Sequence, residues 1–288
     1  MKRLCVFLVL TFVFTWALAW GLMRAGGLLN PNAPIIFVTF MLVPAVCVLL
    51  TRAITKEGFE DMWIKPNFKG NLKYYIMAWF LPQLLIVLGS TIYFVIFPSN
   101  FDPSMRYMMN LYRQQGVALP EGISMVQLFI AQMFTGILVA PILNLVPALG
   151  EELGWRGYLL PKLTQRYPNT TAAIITGVIW GVWHAPMIAM GHNYGLGYPY
   201  APFGGIGAMI VFCIFVGVFL SYLALKVKSA IPAALAHGAL NGFAAIGIFF
   251  VAGTANPFIG PLPTGIIGGI GFIIAGIVSF LAIRDIKQ

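Results

Sequence analysis

The chain has 288 residues, of which 60% are hydrophobic and only 9% are charged, and its mean hydropathy is +0.89. Soluble domains carry about 25% charged residues, so this composition excludes an ordinary soluble protein and indicates a membrane-embedded one. The net charge of +9 would suggest a nucleic-acid partner in a soluble chain, but basic residues of membrane proteins mainly mark the cytoplasmic side. Membrane lipids are therefore expected around the protein, and nucleic acid is not an expected partner.

The first predicted element is Leu4–Met23, an uncharged stretch that follows Lys2 and Arg3. It has features of a signal peptide, because Ala17-Leu18-Ala19 resembles a cleavage site. Its length of about 20 residues is nevertheless that of a bilayer-spanning helix and exceeds a usual signal core. We interpret it as the first transmembrane helix.

Seven further stretches of spanning length carry little or no charge, which predicts an all-α, polytopic bundle of about eight transmembrane helices. Their prolines and glycines are tolerated in membrane bundles. No polar stretch between them is long enough for a separate soluble domain. The seven stretches are Ile35–Thr51, Tyr74–Phe97, Val126–Gly150, Thr170–Met190, Gly205–Leu225, Ala230–Ala252 and Thr264–Ile283.

The basic residues alternate between the predicted loops. The N-terminus, the second, fourth and sixth loops and the C-terminus hold 14 of the 17 Lys and Arg residues, and the other loops hold three. This asymmetry predicts that both termini are cytoplasmic. The longest external segment would then be residues 98–124, where Met, Leu and Tyr recur at near-helical spacing in SMRYMMNLYRQQ. That segment could lie along the outer membrane surface or pack as an ordinary loop.

Ionisable side chains inside a membrane are costly to bury, so each is a candidate for function. Few occur in the predicted spans: His184 in WGVWHAP, His237 in AHGALN, and Glu151, Glu152 and Arg156 around the end of the fourth helix. Glu152 and Arg156 are four residues apart on one helix face, where they can form an ion pair. Glu151 points about 100° away and is free to face another partner.

The two histidines have polar or aromatic neighbours of their own. His237 and Asn241 are four residues apart on one face, and Trp180 lies one turn before His184, where it could pack against the imidazole. Counted at 1.5 Å per residue from the basic side, Glu151, His237 and His184 lie ~14, ~10 and ~21 Å deep. Helix tilt could close this difference, and we expect these polar groups to line one cavity that opens toward the cytoplasm.

Other intramembrane protease chemistries lack their residues in this chain. The zinc-protease motif HExxH and a GxSG nucleophile sequence are absent, and the aspartates Asp61, Asp102 and Asp285 lie outside the predicted spans. The third histidine, His192, is assigned to an external loop and left out of the site. What remains is a carboxylate with two histidines and an amide.

These residues fall into three motifs in the order EELGWR (Glu151–Arg156), WGVWH (Trp180–His184) and HGALN (His237–Asn241). Here the sequence resembles the CPBP family of CAAX-protease and bacteriocin-processing membrane proteins, which includes the Ras-converting CAAX endopeptidases. The family pattern is EExxxR, then an aromatic residue followed by xxxH, then HxxxN; this chain has Trp where Phe is more usual. The resemblance covers roughly residues 125–245 as a catalytic core, between an N-terminal part (1–124) and a C-terminal helix (246–288) of one integrated membrane domain.

The resemblance implies an intramembrane endopeptidase of the cell membrane, which hydrolyses a peptide bond of a peptide or prenylated protein from the cytoplasmic side. Glu151 would activate a water molecule with help from His184. His237 and Asn241 would donate hydrogen bonds to the oxyanion. Glu152 and Arg156 would support this arrangement by holding the helix and orienting Glu151.

A metal-dependent reaction is the alternative mechanism, because two histidines and a carboxylate can form a catalytic zinc site. Its ligands would be Glu151, His184 and His237. No two of these ligands have the compact i,i+4 His–His spacing, and Asn241 is an unusual further member. We therefore favour a metal-free reaction without a cofactor.

Two other classes of function fit the same residues. A non-enzymatic immunity or scaffold protein would bind peptides in the same cavity. A transporter would use membrane carboxylates and histidines to relay protons, but it would carry charges across the whole membrane and internal repeats, and neither is evident.

Overall fold

The computed structural model of the protein describes residues 2–114, 116 and 122–286. Within these ranges the chain is helical, with one isolated β-bridge between Phe101 and Val251 in place of any sheet. Seven helices there are long and apolar enough to cross a membrane. The predicted all-α, polytopic architecture is confirmed.

The helices are described in chain order. They are α1 (Lys2–Arg24), α2 (Ala33–Thr55), α3 (Leu72–Ile96), α4 (Arg106–Gln114), α5 (Met125–Phe134), α6 (Ala140–Leu143), α7 (Leu145–Gly154), α8 (Leu160–Thr164), α9 (Asn169–Trp183), α10 (Ala185–Ala189), α11 (Phe203–Val227), α12 (Ile231–Phe243) and α13 (Ile270–Arg284). Two π-helical segments, Thr135–Val139 and Trp155–Leu159, join α5 to α6 and α7 to α8.

The predicted fourth helix, Val126–Gly150, is present as a spanning segment, Met125–Leu143, followed by a further helical stretch. The helical path runs from Met125 to Thr164 and is interrupted by both π-helical segments and by a turn at Asn144. Pro141 explains part of this, because it has no N–H to bond to the carbonyl of Ile137. The indole N–H of Trp79 donates to that carbonyl instead, at 2.7 Å.

The last predicted span, Thr264–Ile283, is also shorter in the structure. Its helix, α13, has 15 residues and begins only at Ile270. The preceding glycines form a tight turn against residues 259–263, where a Cβ on Gly268 would lie 2.1 Å from the carbonyl oxygen of Leu262. Side chains are excluded by this close backbone contact, which is why the segment is glycine-rich and not helical.

The loops predicted to lie on the basic side meet on one face of the bundle. Lys162 of α8 binds Glu57 at 2.6 Å and Asp61 at 3.0 Å, both in the loop after α2. Asn169, at the start of α9, donates a hydrogen bond to the carbonyl of Ile286 near the C-terminus, at 2.9 Å. The contacts therefore gather the segments with most of the basic residues on the same face, which we call the basic face.

Glu57 is the centre of the ion network on this face. Burial raises the pKa of its carboxyl, but hydrogen bonds from Lys162, Tyr158 and Thr55 outweigh burial and hold the pKa below its ordinary value. Arg3 of α1 lies 3.7 Å away and adds a second positive charge. The network ties α1, the loop after α2 and α8 together, and so anchors the helical path that carries the acidic motif.

The long segment after α3 packs on the opposite face. Asp102 N–H donates to the carbonyl of Phe250, and Ala252 N–H donates to the carbonyl of Asn100, both at 2.8 Å. The near-helical spacing in this segment corresponds to α4, whose partly buried Met108, Met109 and Tyr112 pack against the core. Residues 115 and 117–121 of the predicted external segment lie outside the described residues.

Candidate active site

Glu151 is held by a tryptophan from another helix. The carboxyl group lies on α7 and is 2% exposed, and its Oε2 accepts a hydrogen bond from the indole N–H of Trp180 on α9 at 2.7 Å. Trp180 also has its predicted edge contact with His184, with ring centroids 5.6 Å apart. A phenylalanine, the more usual family residue, would keep the ring contact but could not donate to Glu151.

Glu152 joins α7 to α12. Its two oxygens accept hydrogen bonds from Arg156 Nη1 at 3.1 and 3.0 Å, so the predicted i,i+4 pair is present and fully buried. His237 Nδ1 lies 2.9 Å from Glu152 Oε1. Arg156 Nη2 donates to the carbonyl of Gly217 at 3.2 Å, and a Cβ on Gly217 would lie 2.9 Å from that nitrogen. The two carboxylate oxygens of Glu152 and both terminal nitrogens of Arg156 therefore have partners, which offsets their desolvation, while Arg156 Nε has none among the described residues.

The partners of the two histidines determine which ring nitrogens are free. His184 Nδ1 lies 2.8 Å from the carbonyl oxygen of Trp180, which can only accept, so Nδ1 carries the proton. By the same argument His237 Nδ1 donates to the carboxylate of Glu152. Nε2 of each ring is therefore available for other groups. On a neutral ring that nitrogen is an acceptor, and on a protonated ring it is a donor.

Asn241 lies one turn beyond His237 on α12. Its side chain is exposed and has no hydrogen-bond partner among the described residues. An exposed amide beside a buried imidazole can bind a ligand without first breaking an internal bond.

One cavity of about 160 Å³ brings the four predicted catalytic residues together, since Glu151, His184, His237 and Asn241 all line it. Trp180 forms part of the same wall. A larger cavity of about 450 Å³ lies between α3, α5 and residues 246–250, but no ionisable side chain lines it. Of these two cavities, the smaller one combines a carboxylate with candidate hydrogen-bond donors.

Glu151, His184 and His237 lie at similar distances from the basic face because their helices begin at different levels. Trp63 N–H donates to the carbonyl of Gly157, and Ala230 N–H donates to the carbonyl of Trp63. The start of α12 is therefore level with Gly157, ~10 Å above the end of α8 by the helical rise. With this correction, Glu151 and His237 both lie ~20 Å from the basic face, and His184 lies ~22 Å from it.

The cavity is lined partly by residues from the face opposite to the basic face, and its opening toward the cytoplasm stays a prediction. The cavity walls include Asn193 and Thr264, which belong to loops of the opposite face, and Phe37, which lies near the start of α2. His192, which the sequence had placed outside the site, also lines the cavity. The glycines and asparagine of GHNYG are residue types that favour a tight, left-handed turn, which is a sequence signal for a functional loop. In the structure Gly191, Asn193 and Gly195 adopt φ values of 97°, 66° and 67°.

The zinc alternative would use Glu151, His184 and His237 as ligands. Among the described residues, no three His, Cys, Asp or Glu side chains are grouped so that they could hold a metal ion. His237 already directs Nδ1 to Glu152, and Glu151 accepts the Trp180 N–H. Nε2 of His184 and Nε2 of His237 stay free in this arrangement, and the metal-free reaction stays a prediction.

Comparison with known proteins identifies the segment that carries the three motifs. Residues 133–243 match the family described as type II CAAX prenyl endopeptidase, Rce1-like. The chain is 44% identical over 52 residues to CAAX prenyl protease 2 of Methanococcus maripaludis, a stretch that covers 18% of this chain and 19% of that relative. The resemblance to the CAAX-protease family is confirmed over this segment. Together with the seven spanning helices, it identifies an integral membrane protein.

Proposed function

We propose that this CAAX-protease-like membrane protein is an intramembrane endopeptidase in which Glu151 activates water to hydrolyse a peptide bond. The observation that carries the proposal is the single cavity lined by Glu151, His184, His237 and Asn241, inside the segment that matches the protease family.

Glu151 acts as the general base in this proposal. Its carboxylate takes a proton from water, and the resulting hydroxide attacks the carbonyl carbon of the substrate. His184 accepts the second hydrogen bond of that water at Nε2, because its Nδ1 is occupied by the carbonyl of Trp180. When the carbon–nitrogen bond breaks, the proton on Glu151 passes to the leaving amine.

His237 and Asn241 bind the oxyanion. A negative charge develops on the substrate carbonyl oxygen, and donors in a low-dielectric site stabilise such a charge strongly. Protonated His237 donates through Nε2 while Glu152 accepts from its Nδ1. Glu152 and Arg156 therefore position both the imidazolium and the helix that carries Glu151.

The proposed substrate is a prenylated protein or peptide that ends in a CAAX sequence. The names of the matched family and of the archaeal relative support this class. A peptide-binding immunity or scaffold protein is the second candidate, since the same cavity would hold a peptide without cleaving it.

Hydrolysis of a farnesylated, internally quenched CAAX peptide by the purified protein in detergent tests the proposal. We expect cleavage to continue after exhaustive chelation with EDTA, because every proposed step uses a side chain of this chain. Loss of cleavage on chelation and its recovery with Zn²⁺, together with stoichiometric bound zinc that is lost in His184→Ala and His237→Ala, would establish the zinc alternative. Binding without any cleavage would favour the scaffold protein.

We also propose that the basic face is cytoplasmic, as its excess of Lys and Arg suggests. In a background without Cys5, Cys47 and Cys213, a membrane-impermeant maleimide should label Leu196→Cys in intact cells. Lys65→Cys should react only after the cells are opened. The reverse pattern would place the basic face outside.

A further inference from the structure

The cavity has a second set of polar side chains, contributed by two loops of the face opposite to the basic one. His192 and Asn193 belong to the turn after α10, and Thr264 belongs to the turn before α13. We propose that these three side chains form a second polar subsite, which binds the main chain of the substrate peptide next to the scissile bond. The proposal rests on the proposed function for the identity of the ligand.

The hydrogen-bonding capacity of this subsite is unused. Thr264 Oγ1 is buried and has no hydrogen-bond partner among the described residues. The Asn193 amide has only a 3.9 Å contact from Nδ2 to the sulfur of Met209. No described group bonds to the ring nitrogens of His192, whose ring packs on Phe37 at 4.8 Å between centroids. Buried polar atoms normally have partners, so the unpaired hydroxyl of Thr264 indicates a missing ligand, and the partly buried His192 and Asn193 side chains offer further groups beside it.

The two loops that form the subsite are fixed to each other before any ligand binds. Tyr194 is 3% exposed, and its hydroxyl donates to the carbonyl of Thr264 at 3.1 Å. Its ring stacks on Phe258 at 5.0 Å between centroids. The left-handed backbone of Asn193, with φ of 66°, is held within this packed turn. Such pre-organisation lowers the entropy cost of binding.

The side chains of the subsite favour an uncharged ligand that both donates and accepts hydrogen bonds. Burial lowers the pKa of His192, so its ring is neutral at pH 7 and offers one donor and one acceptor. Asn193 and Thr264 offer the same combination, which matches the N–H and C=O groups of a peptide. The three side chains of the subsite itself carry no charge at pH 7. A charged substrate side chain would therefore find no partner here.

The size of the cavity limits the conformation of the ligand. Its volume of about 160 Å³ corresponds to roughly five water molecules at ~30 Å³ each. A helix, with a diameter of ~10 Å, does not fit such a space. An extended segment of one or two uncharged residues does, and its main-chain groups are not used in hydrogen bonds of its own.

Peptide binding to a Glu151→Gln protein, in which turnover is blocked, tests the subsite directly. Thr264→Val keeps the shape and removes the hydroxyl, so the Kd of a fluorescent farnesylated CAAX peptide should rise about 3- to 10-fold. His192→Phe keeps the ring contact with Phe37 and should have a similar effect. The matched control is Thr39→Val, because that hydroxyl bonds within its own helix to Ile35 and lies outside the cavity.

Two further comparisons make the result decisive. An ester in place of the amide beside the scissile bond should weaken binding to the parent protein and not to the Thr264→Val protein. Equal binding by Thr264→Val, His192→Phe and Thr39→Val would overturn the subsite. So would a matching loss of affinity for farnesol alone, because the occupant would then be the lipid and not the main chain.

The two proposals fail in different ways. If the subsite variants weaken binding but no peptide is cleaved, the endopeptidase proposal fails and the subsite stands. If cleavage depends on Glu151 but the subsite variants bind like the control, the subsite fails alone. In the active protein, the variants should raise KM about 3- to 10-fold and change kcat less than twofold.

Discussion

Glu151→Gln is expected to reduce kcat by a factor of about 10² to 10⁴. Glutamine has the shape of glutamate and can still accept the N–H of Trp180, which lies 2.7 Å from the carboxylate in the structure. It cannot take a proton from water. The substitution therefore removes the proposed base and leaves the packing of α7 in place. Initial rates on the quenched farnesylated peptide measure the effect.

The matched control for this variant is Glu60→Gln. Glu60 is an exposed glutamate in the loop after α2, outside the cavity. Its loss should leave turnover unchanged. Unaltered cleavage by a folded Glu151→Gln protein would contradict the proposed mechanism, because no other carboxylate lines the cavity among the described residues. Thermal unfolding in detergent shows whether the variant is folded.

Asn241→Ala is expected to lower kcat by a factor of about 10² to 10³ while KM changes little. The amide has no internal hydrogen bond to lose, so its removal should not disturb α12. Its proposed partner is the oxyanion, which exists only in the transition state and the tetrahedral intermediate. An interaction made only there affects kcat and not ground-state binding.

Separate measurement of kcat and KM checks this prediction. Asn110→Ala is the control, since Asn110 is an exposed asparagine on α4, away from the cavity. A rise in KM with an unchanged kcat would show that Asn241 binds the substrate before the reaction and would remove it from the oxyanion site. His237 would then be the remaining donor.

Several features of this protein follow from the sequence because they depend on local periodicity. Its composition and the lengths of its apolar stretches indicate a membrane bundle, and the structure agrees. The Glu152–Arg156 ion pair follows from a spacing of four residues, which places both side chains on one helix face. The same spacing relates His237 and Asn241. The three motifs were also sufficient to identify the family segment.

The interruption of the predicted fourth helix required the tertiary structure. Proline in a membrane helix is tolerated when another group satisfies the freed carbonyl, and here that group is Trp79 from α3. Sequence spacing relates residues within one helix and contains no information about a donor on another. The same limit applies to Trp180, whose bond to Glu151 joins α9 to α7.

Depth was the other property that only the tertiary structure decided. Counting from each helix start assumed that all helices begin at the same level, and the polar groups then differed in depth by ~11 Å. The bridge through Trp63 shows that α12 begins level with Gly157, which removes most of that difference. His192 was excluded for a related reason, because a loop position was taken to lie outside the bundle. The turn at residues 191–195 instead folds over the cavity, and this depends on left-handed backbone angles and on contacts with the distant turn at Thr264.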